Sequence, residues 1–432
     1  MGTTSKNHFP DRAALAELQL EKLNALLGAL VPSNLFYSRK FREQAAAPHA
    51  ESLEAFSRTF PFTTKDELSA DQLRRPPYGS NLTFSLERYT KLHHTSGMQG
   101  TPLRWLDTPE SWDWMLRNWE QVFRAADVHQ KDRVFCAFSF GPFIGFWLAF
   151  EAAARMGCLT MPGGGLSSEL RLLLIMDHGI SVLCATPTYA IRLGELARAT
   201  KLDLSKSAVR VILVAGEPGG SLPATRARIE SLWPGARVFD HHGMTEVGPV
   251  THECPERPGV LHVIESSYLP EVIDPQTDMP VAPEGTGELV LTTLGRTGSP
   301  VIRYRTRDLV RRGPDAVCAC GRSDLTLEGG ILGRTDDMIV VRGVNVYPSA
   351  VDEIIRTCGG ISEYRVRVQA GDSMTELLVE VEPEDPEADP YALVDRLGKA
   401  FQASMSLRIP VTCVAPGDLP RFEMKARRWE RE

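Results

Sequence analysis

The chain has 432 residues, enough at about 150 per domain for two or three domains with a sizeable core, which excludes small disulfide-only or metal-only scaffolds. Its 48 Lys and Arg against 55 Asp and Glu leave a net charge of −7, so no global positive field exists to hold nucleic acid or an anionic membrane. With 43% hydrophobic and 24% charged residues, the composition also excludes a largely disordered chain.

The start, Met-Gly-Thr-Thr-Ser-Lys-Asn-His, has no apolar segment after a basic region. Lys6 stands where a myristoylation motif wants Ser or Thr, and a cytoplasmic protein is predicted. Up to about Phe60 the spacing of apolar residues in ALAELQLEKLNALLGAL predicts helices, stopped at Pro32-Ser33-Asn34. From Arg133 to Phe239, apolar strands (VFCAFSF, SVLCA, VRVILVAG, ARVFD) alternate with helical patterns (GFWLAFEAAARMG, TYAIRLGELARAT, ATRARIESLW), which predicts a mainly parallel sheet covered by helices. The longest uncharged run, Val134 to Phe150, is divided by Gly141-Pro142 into a strand and a helix, so it is too interrupted for a membrane span. Between Gly259 and Arg312, short strands such as VLHVIE and GELVLTTL predict a β-rich subdomain. After Arg334, MIVVRG, PSAVDEIIRTC, YRVRVQA, ELLVEVE and YALVDRLGKAFQASM predict a small α+β domain. The fold class is therefore α/β: a large N-terminal domain, residues 1–334, of parallel-sheet layers plus a β-rich subdomain, and a small α+β C-terminal domain, residues 335–432.

Four clusters carry candidate chemistry. YTKLHHTSGMQGTP places Thr95, Ser96, Gly97 and Gly100 in a loop where backbone N–H groups and hydroxyls can approach a phosphate. P-loop and dinucleotide fingerprints are absent from the sequence. Asp240-His241-His242-Gly243-Met244-Thr245-Glu246 follows a predicted strand end, where ligands of open α/β sheets sit. Arg303-Tyr304-Arg305-Thr306-Arg307-Asp308 joins three guanidiniums to a carboxylate suited to ribose hydroxyls. Gly333-Arg334-Thr335-Asp336-Asp337 lies where the composition changes between the domains, and such a linker can absorb a rotation. Taken singly, each also fits an ordinary loop or charged edge strand.

Their order and content together resemble the adenylate-forming superfamily of acyl- and aryl-CoA ligases. Arg307, the phrase RGVNVYPS and the closing LPRFEMKARR point to its phenylacetate-CoA ligase branch. The resemblance implies that ATP activates a carboxylic acid as an acyl-adenylate with release of pyrophosphate. The smaller domain then rotates so that the CoA thiol can attack. It further implies Glu246 as Mg²⁺ ligand, Thr245 as an α-phosphate contact, and Asp308 as ribose ligand. Arg334 and the hinge residue Asp336 belong to the domain junction, and Lys425 is the adenylating lysine that bridges carboxylate and phosphate. The chain departs from the pattern at Thr101, where the family usually carries lysine, at Met98-Gln99 in place of a hydroxyl pair, at Phe422 and Met424 beside the lysine, and at His242, where an aromatic ring usually stacks on adenine.

Ala215-Gly216-Glu217-Pro218 resembles the motif beside the acyl pocket, with Glu217 and Pro218 also placed at ATP. Phe140, Ile144 and Gly145 supply the opposite wall, which favours a flat aromatic acid of benzoate, anthranilate or phenylacetate type. Glu217 or His241 is placed to pair with a ring amino or hydroxyl group. Separately, Cys254, His262, Cys318 and Cys320 make a complete tetrahedral set for a structural Zn²⁺, with His252 competing as the fourth ligand. The expected ligands are thus ATP, Mg²⁺, CoA, Zn²⁺ and a small aromatic acid. Relatives imply a homodimer. A carrier protein's phosphopantetheine is the alternative acceptor, and a non-catalytic ligand-binding relative is the rival from another class.

Overall fold

The computed structural model describes residues 9–95, 102–145, 147–341, 344–370, 375–422 and 426–431. The predicted first helix is present as Arg12–Leu30, started by the Asp11 carboxylate accepting from Ala14 N at 2.9 Å, and its apolar stripe is buried through Leu15, Leu23, Leu26, Leu27 and Leu30.

At the centre lies a five-stranded parallel sheet in the spatial order Leu159–Pro162, Arg133–Cys136, Val182–Ala185, Val211–Val214, Arg237–Asp240. Val182–Ala185 and Val211–Val214 are wholly buried because helices cover both faces, which is why they read as unbroken apolar runs. One face packs on Ser168–Asp177, Pro187–Ala199 and Pro223–Leu232; the other packs on Pro109–Ala125, whose Trp112, Trp114 and Trp119 enter the main core, and on Trp147–Arg155.

The strand expected across VFCAFSF ends at Cys136. The last ladder bond runs from Ala137 N to Cys184 O, and Phe138 N then turns back to Cys136 O, so the rest of the segment leaves the sheet over its carboxyl end. A six-stranded antiparallel sheet follows, in the order Thr251–Glu253, Val260–Val263, Thr326–Arg334, Tyr304–Arg312, Thr286–Thr293, Tyr268–Ile273. The last segment forms a four-stranded sheet, Val411–Cys413, Thr375–Pro383, Ile361–Ala370, Trp429–Arg431, packed with Pro348–Cys358 and Pro390–Met405. The fold class is the predicted one. Among the described residues no helix is long and apolar enough to cross a membrane.

Candidate active site

The phosphate-loop candidate is held at its base by an antiparallel pair, Lys91–His94 with Arg104–Asp107. Thr95 is buried and closes that base: its N donates to Leu103 O, and its hydroxyl accepts from Leu103 N, each at 3.0 Å. Ser96, Gly97 and Gly100 lie outside the described residues, as does Lys425.

At the far end of this strand pair, where Asp107 faces Lys91, Asp107 and Arg296 form a two-pronged ion pair at 2.7 and 2.6 Å, with both side chains 0% exposed. The third guanidinium donor goes to Thr245 O at 2.6 Å. One buried arginine thus ties the strand after the loop to the Thr245-Glu246 segment. Glu246 is buried. Its Oε1 accepts from Tyr304 Oη at 3.4 Å and lies 3.5 Å from Lys65 Nζ. A buried carboxylate needs such compensation, and a hard oxygen donor here fits Mg²⁺.

Asp308 stands directly opposite Arg334 in the antiparallel ladder, and Arg334 Nη1 reaches its Oδ1 at 3.3 Å. Asp308 Oδ2 is buried without a hydrogen-bond partner among the described residues. His242 Nε2 lies 3.2 Å from it, out of hydrogen-bonding alignment and equally unpartnered. Two orphaned polar atoms at the mouth of a sheet fit a ligand rich in hydroxyl groups, as ribose is. Arg334 also donates twice to Asp336, at 2.9 and 3.0 Å, and Arg307 reaches Asp336 at 3.3 Å. Burial opposes ionisation of Asp336, but the two guanidiniums outweigh it and hold the carboxyl below its usual range.

His241 is buried, with Nδ1 2.6 Å from Thr251 O and its ring 4.3 Å from that of Trp119. A carbonyl partner requires Nδ1 to be the protonated nitrogen, and burial pushes the imidazole pKa down to about 3, so the ring is neutral with Nε2 as an acceptor. The preceding Asp240 accepts from Ser221 Oγ at 2.5 Å and from His241 N at 2.9 Å, while burial raises its pKa. It organises the turn from within, rather than facing solvent. Gly243 and Met244 pair with Gly248–Pro249 in a short hairpin that turns the chain back toward the sheet.

Ala215, Gly216, Glu217 and Pro218 follow Val211–Val214, with Gly216 at φ +96°. Phe140 packs edge-on against Trp147 and Phe150, at centroid distances of 4.7 and 5.6 Å. Ile144 is buried, and Gly145, at φ +27°, lies so close to Phe138 that an added Cβ would meet its ring at 2.2 Å. Glu217 does not present a free carboxylate: Oε1 accepts from Thr188 N at 2.8 Å and Oε2 from Ala426 N at 2.9 Å.

In the β-rich part, Cys254 Sγ is 3.6 Å from Cys318 Sγ, and Cys320 Sγ is 3.4 Å from His262 Nε2; all four ligand atoms lie within 4.8 Å of one another. His252 turns Nδ1 to Glu253 O at 3.0 Å and stacks on His262 instead of joining the group. Three thiols and an imidazole in this arrangement fit a closed tetrahedral soft-donor site.

The structure therefore gathers Glu246, Thr245, His242, Asp308, Arg334 and Asp336 near one another, His242, Asp308, Arg334 and Asp336 through direct side-chain contacts. Sequence reasoning missed Lys65, Tyr304 as a glutamate partner, and the Asp107–Arg296 pair. Nothing in the spacing marks these, because their partners are remote in sequence.

Residues 83–295 match the family described as AMP-binding enzyme, and residues 343–430 match AMP-binding enzyme C-terminal domain. These define an adenylate-forming class. The chain is 32% identical to phenylacetate-coenzyme A ligase of Escherichia coli (strain K12), covering 95% of this chain and 93% of that protein, and 30% identical to the enzyme of that name from Thermus thermophilus, covering 95% of each. Among solved structures, 2-hydroxyisobutyryl-CoA ligase in its postadenylation state superposes with a TM-score of 0.94 at 27% identity, over 100% of this chain and 94% of that one. The same ligase in its thioesterification state gives 0.74 at 28% identity, over 99% and 92%. The chain belongs to the phenylacetate-CoA ligase family, and it is an AMP-forming acid–CoA ligase that activates its acid with ATP and transfers it to CoA.

Proposed function

We propose that the acid is aromatic, and that residues 1–334 bind ATP and this acid while residues 335–432 form a mobile domain hinged at Asp336. The observation that carries the aromatic reading is that Phe140, fixed edge-on by Trp147 and Phe150, Ala215-Gly216 and the Trp119-backed His241 all follow strands of the parallel sheet at their carboxyl ends. Flat apolar walls favour a ring, and the bare Nε2 of His241 favours one carrying an amino or hydroxyl donor.

A carboxylate is a poor acyl donor because oxide leaves badly, and adenylation converts it into a mixed anhydride. Asp308, Arg334 and His242 hold the ribose and base end. Thr245 meets the α-phosphate, and Lys425 bridges that phosphate and the acid carboxylate, compensating charge that develops as pyrophosphate departs. Glu246 is the residue that would hold Mg²⁺, which supplies further charge neutralisation on the phosphates. Lys65 places a second cation beside the same carboxylate. Cys254, His262, Cys318 and Cys320 would hold a Zn²⁺ whose role is to stitch the β-rich strands, since a closed shell leaves no position for substrate.

The deciding experiment is pyrophosphate release with Mg·ATP across benzoate, anthranilate, salicylate, hydroxyanthranilate, phenylacetate, short hydroxy acids and fatty acids, with and without CoA. Release with one aryl acid and formation of its CoA thioester supports the reading. Activity confined to aliphatic acids would overturn it, and adenylate without thioester would favour a carrier-protein acceptor.

A further inference from the structure

Glu217 occupies a position that neither cleft chemistry nor simple capping explains. The helix Pro187–Ala199 begins with a proline that has no N–H, its Tyr189 N–H is taken by Thr186 Oγ1, and the remaining first-turn donor, Thr188 N, is taken by Glu217 Oε1. The helix terminus favours a negative charge there and fixes the carboxylate's orientation. The other oxygen then faces the C-terminal segment and accepts from Ala426 N, one residue beyond Lys425. Two residues further on, Arg428 donates to Thr188 Oγ1 at 3.3 Å while holding Glu363 of the C-terminal sheet at 2.5 and 3.1 Å. The strand Trp429–Arg431 follows at once.

We propose that Glu217 is a positioning residue that clips the main chain next to Lys425 in the adenylating pose and releases it when the small domain rotates. The proposal rests on the assignment of Lys425 as the adenylating lysine. The superposition supports pose dependence: agreement with a postadenylation state is much closer than with a thioesterification state. Glu217 would therefore act on the first half-reaction only, without touching either substrate.

The test compares Glu217→Ala with Thr186→Ala, which removes a cap from the same helix without reaching Ala426. Expected for Glu217→Ala is a fall of about tenfold to a hundredfold in kcat for acid-dependent ATP–pyrophosphate exchange, the size of one hydrogen bond to a charged acceptor. KM for ATP and acid should hold, and thioesterification of a supplied acyl-adenylate should proceed at the wild-type rate. Thr186→Ala should leave the ratio of the two half-reactions unchanged. A raised KM with kcat retained would make Glu217 a ligand contact instead, and equal loss in both half-reactions, or the same loss in Thr186→Ala, would reduce it to a helix cap. Amide hydrogen exchange across residues 426–431, measured without substrate, separates the clip from the Lys425 assignment: faster exchange in Glu217→Ala alone supports the clip, and unchanged exchange overturns it even if Lys425 is confirmed.

Discussion

Two arginine–carboxylate attachments in this molecule are built to opposite ends. Arg296 and Asp107 are sealed from solvent, joined by two hydrogen bonds, and carry the Thr245 carbonyl on the third donor. Arg198 and Arg228 reach Glu384 of the C-terminal part at 3.1 and 2.9 Å from the surface of the larger part, with all three side chains partly open to water. A desolvated pair loses its partner only at great cost, whereas a wet pair exchanges it for water almost freely. The first suits a fixed tie between the strand Arg104–Asp107 and the Thr245-Glu246 segment, and the second suits a contact that the proposed rotation of the small domain would break.

Arg296→Met should have the largest effect, since it leaves Asp107 buried and unpaired: a loss of about 3–5 kcal/mol in denaturant unfolding is expected. A loss within experimental error would show that water enters this site and would dissolve the contrast. Next, Lys425→Ala should lower adenylate formation by on the order of 10²–10³-fold, as for removal of one preorganised charge partner, while thioesterification of supplied adenylate continues. Equal losses in both steps would remove Lys425 from its assigned role.

The third expectation concerns pH. His241 has a folded pKa of about 3, below the ordinary value of 6.5, so between these limits the unfolded chain binds more protons. Stability then rises with pH across that window and falls on acidification, by about 1.4 kcal/mol per pH unit where the difference is one full proton. His241→Gln should flatten this part of the profile; an unchanged slope would mean that the imidazole is not buried in solution. The smallest change belongs to Glu384→Gln, expected to cost under about 1 kcal/mol and less in high salt. Thermal melts at two salt concentrations check it, and a large salt-independent loss would contradict its role as a breakable contact.

Much of the site was legible because its pieces are local. Asp240 to Glu246 follows a strand end, and Tyr304 to Asp308 lies in a single strand, so residue type and order were enough to nominate them. The zinc-type set was legible as composition, but the choice between His252 and His262 was not, because both occupy neighbouring strands at directly opposed positions. Their rings stack on one face of the sheet, and only the fold shows that His262 is the one that reaches the thiols. Glu217 was nominated for a ligand by its motif, yet its two oxygens meet backbone donors from a helix 29 positions earlier and a segment 209 positions later.

The alternation of apolar strands and amphipathic helices, a property of each stretch taken alone, determined the layered architecture and the placing of the candidate residues just after strand ends. What only the tertiary structure decided was which charges are sealed and which stay wet. Lys65 meets Glu246, Arg296 meets Asp107, and Ala426 meets Glu217 across separations that no local period encodes. Desolvation depends on everything packed around a group, and that exists only once the chain has closed on itself.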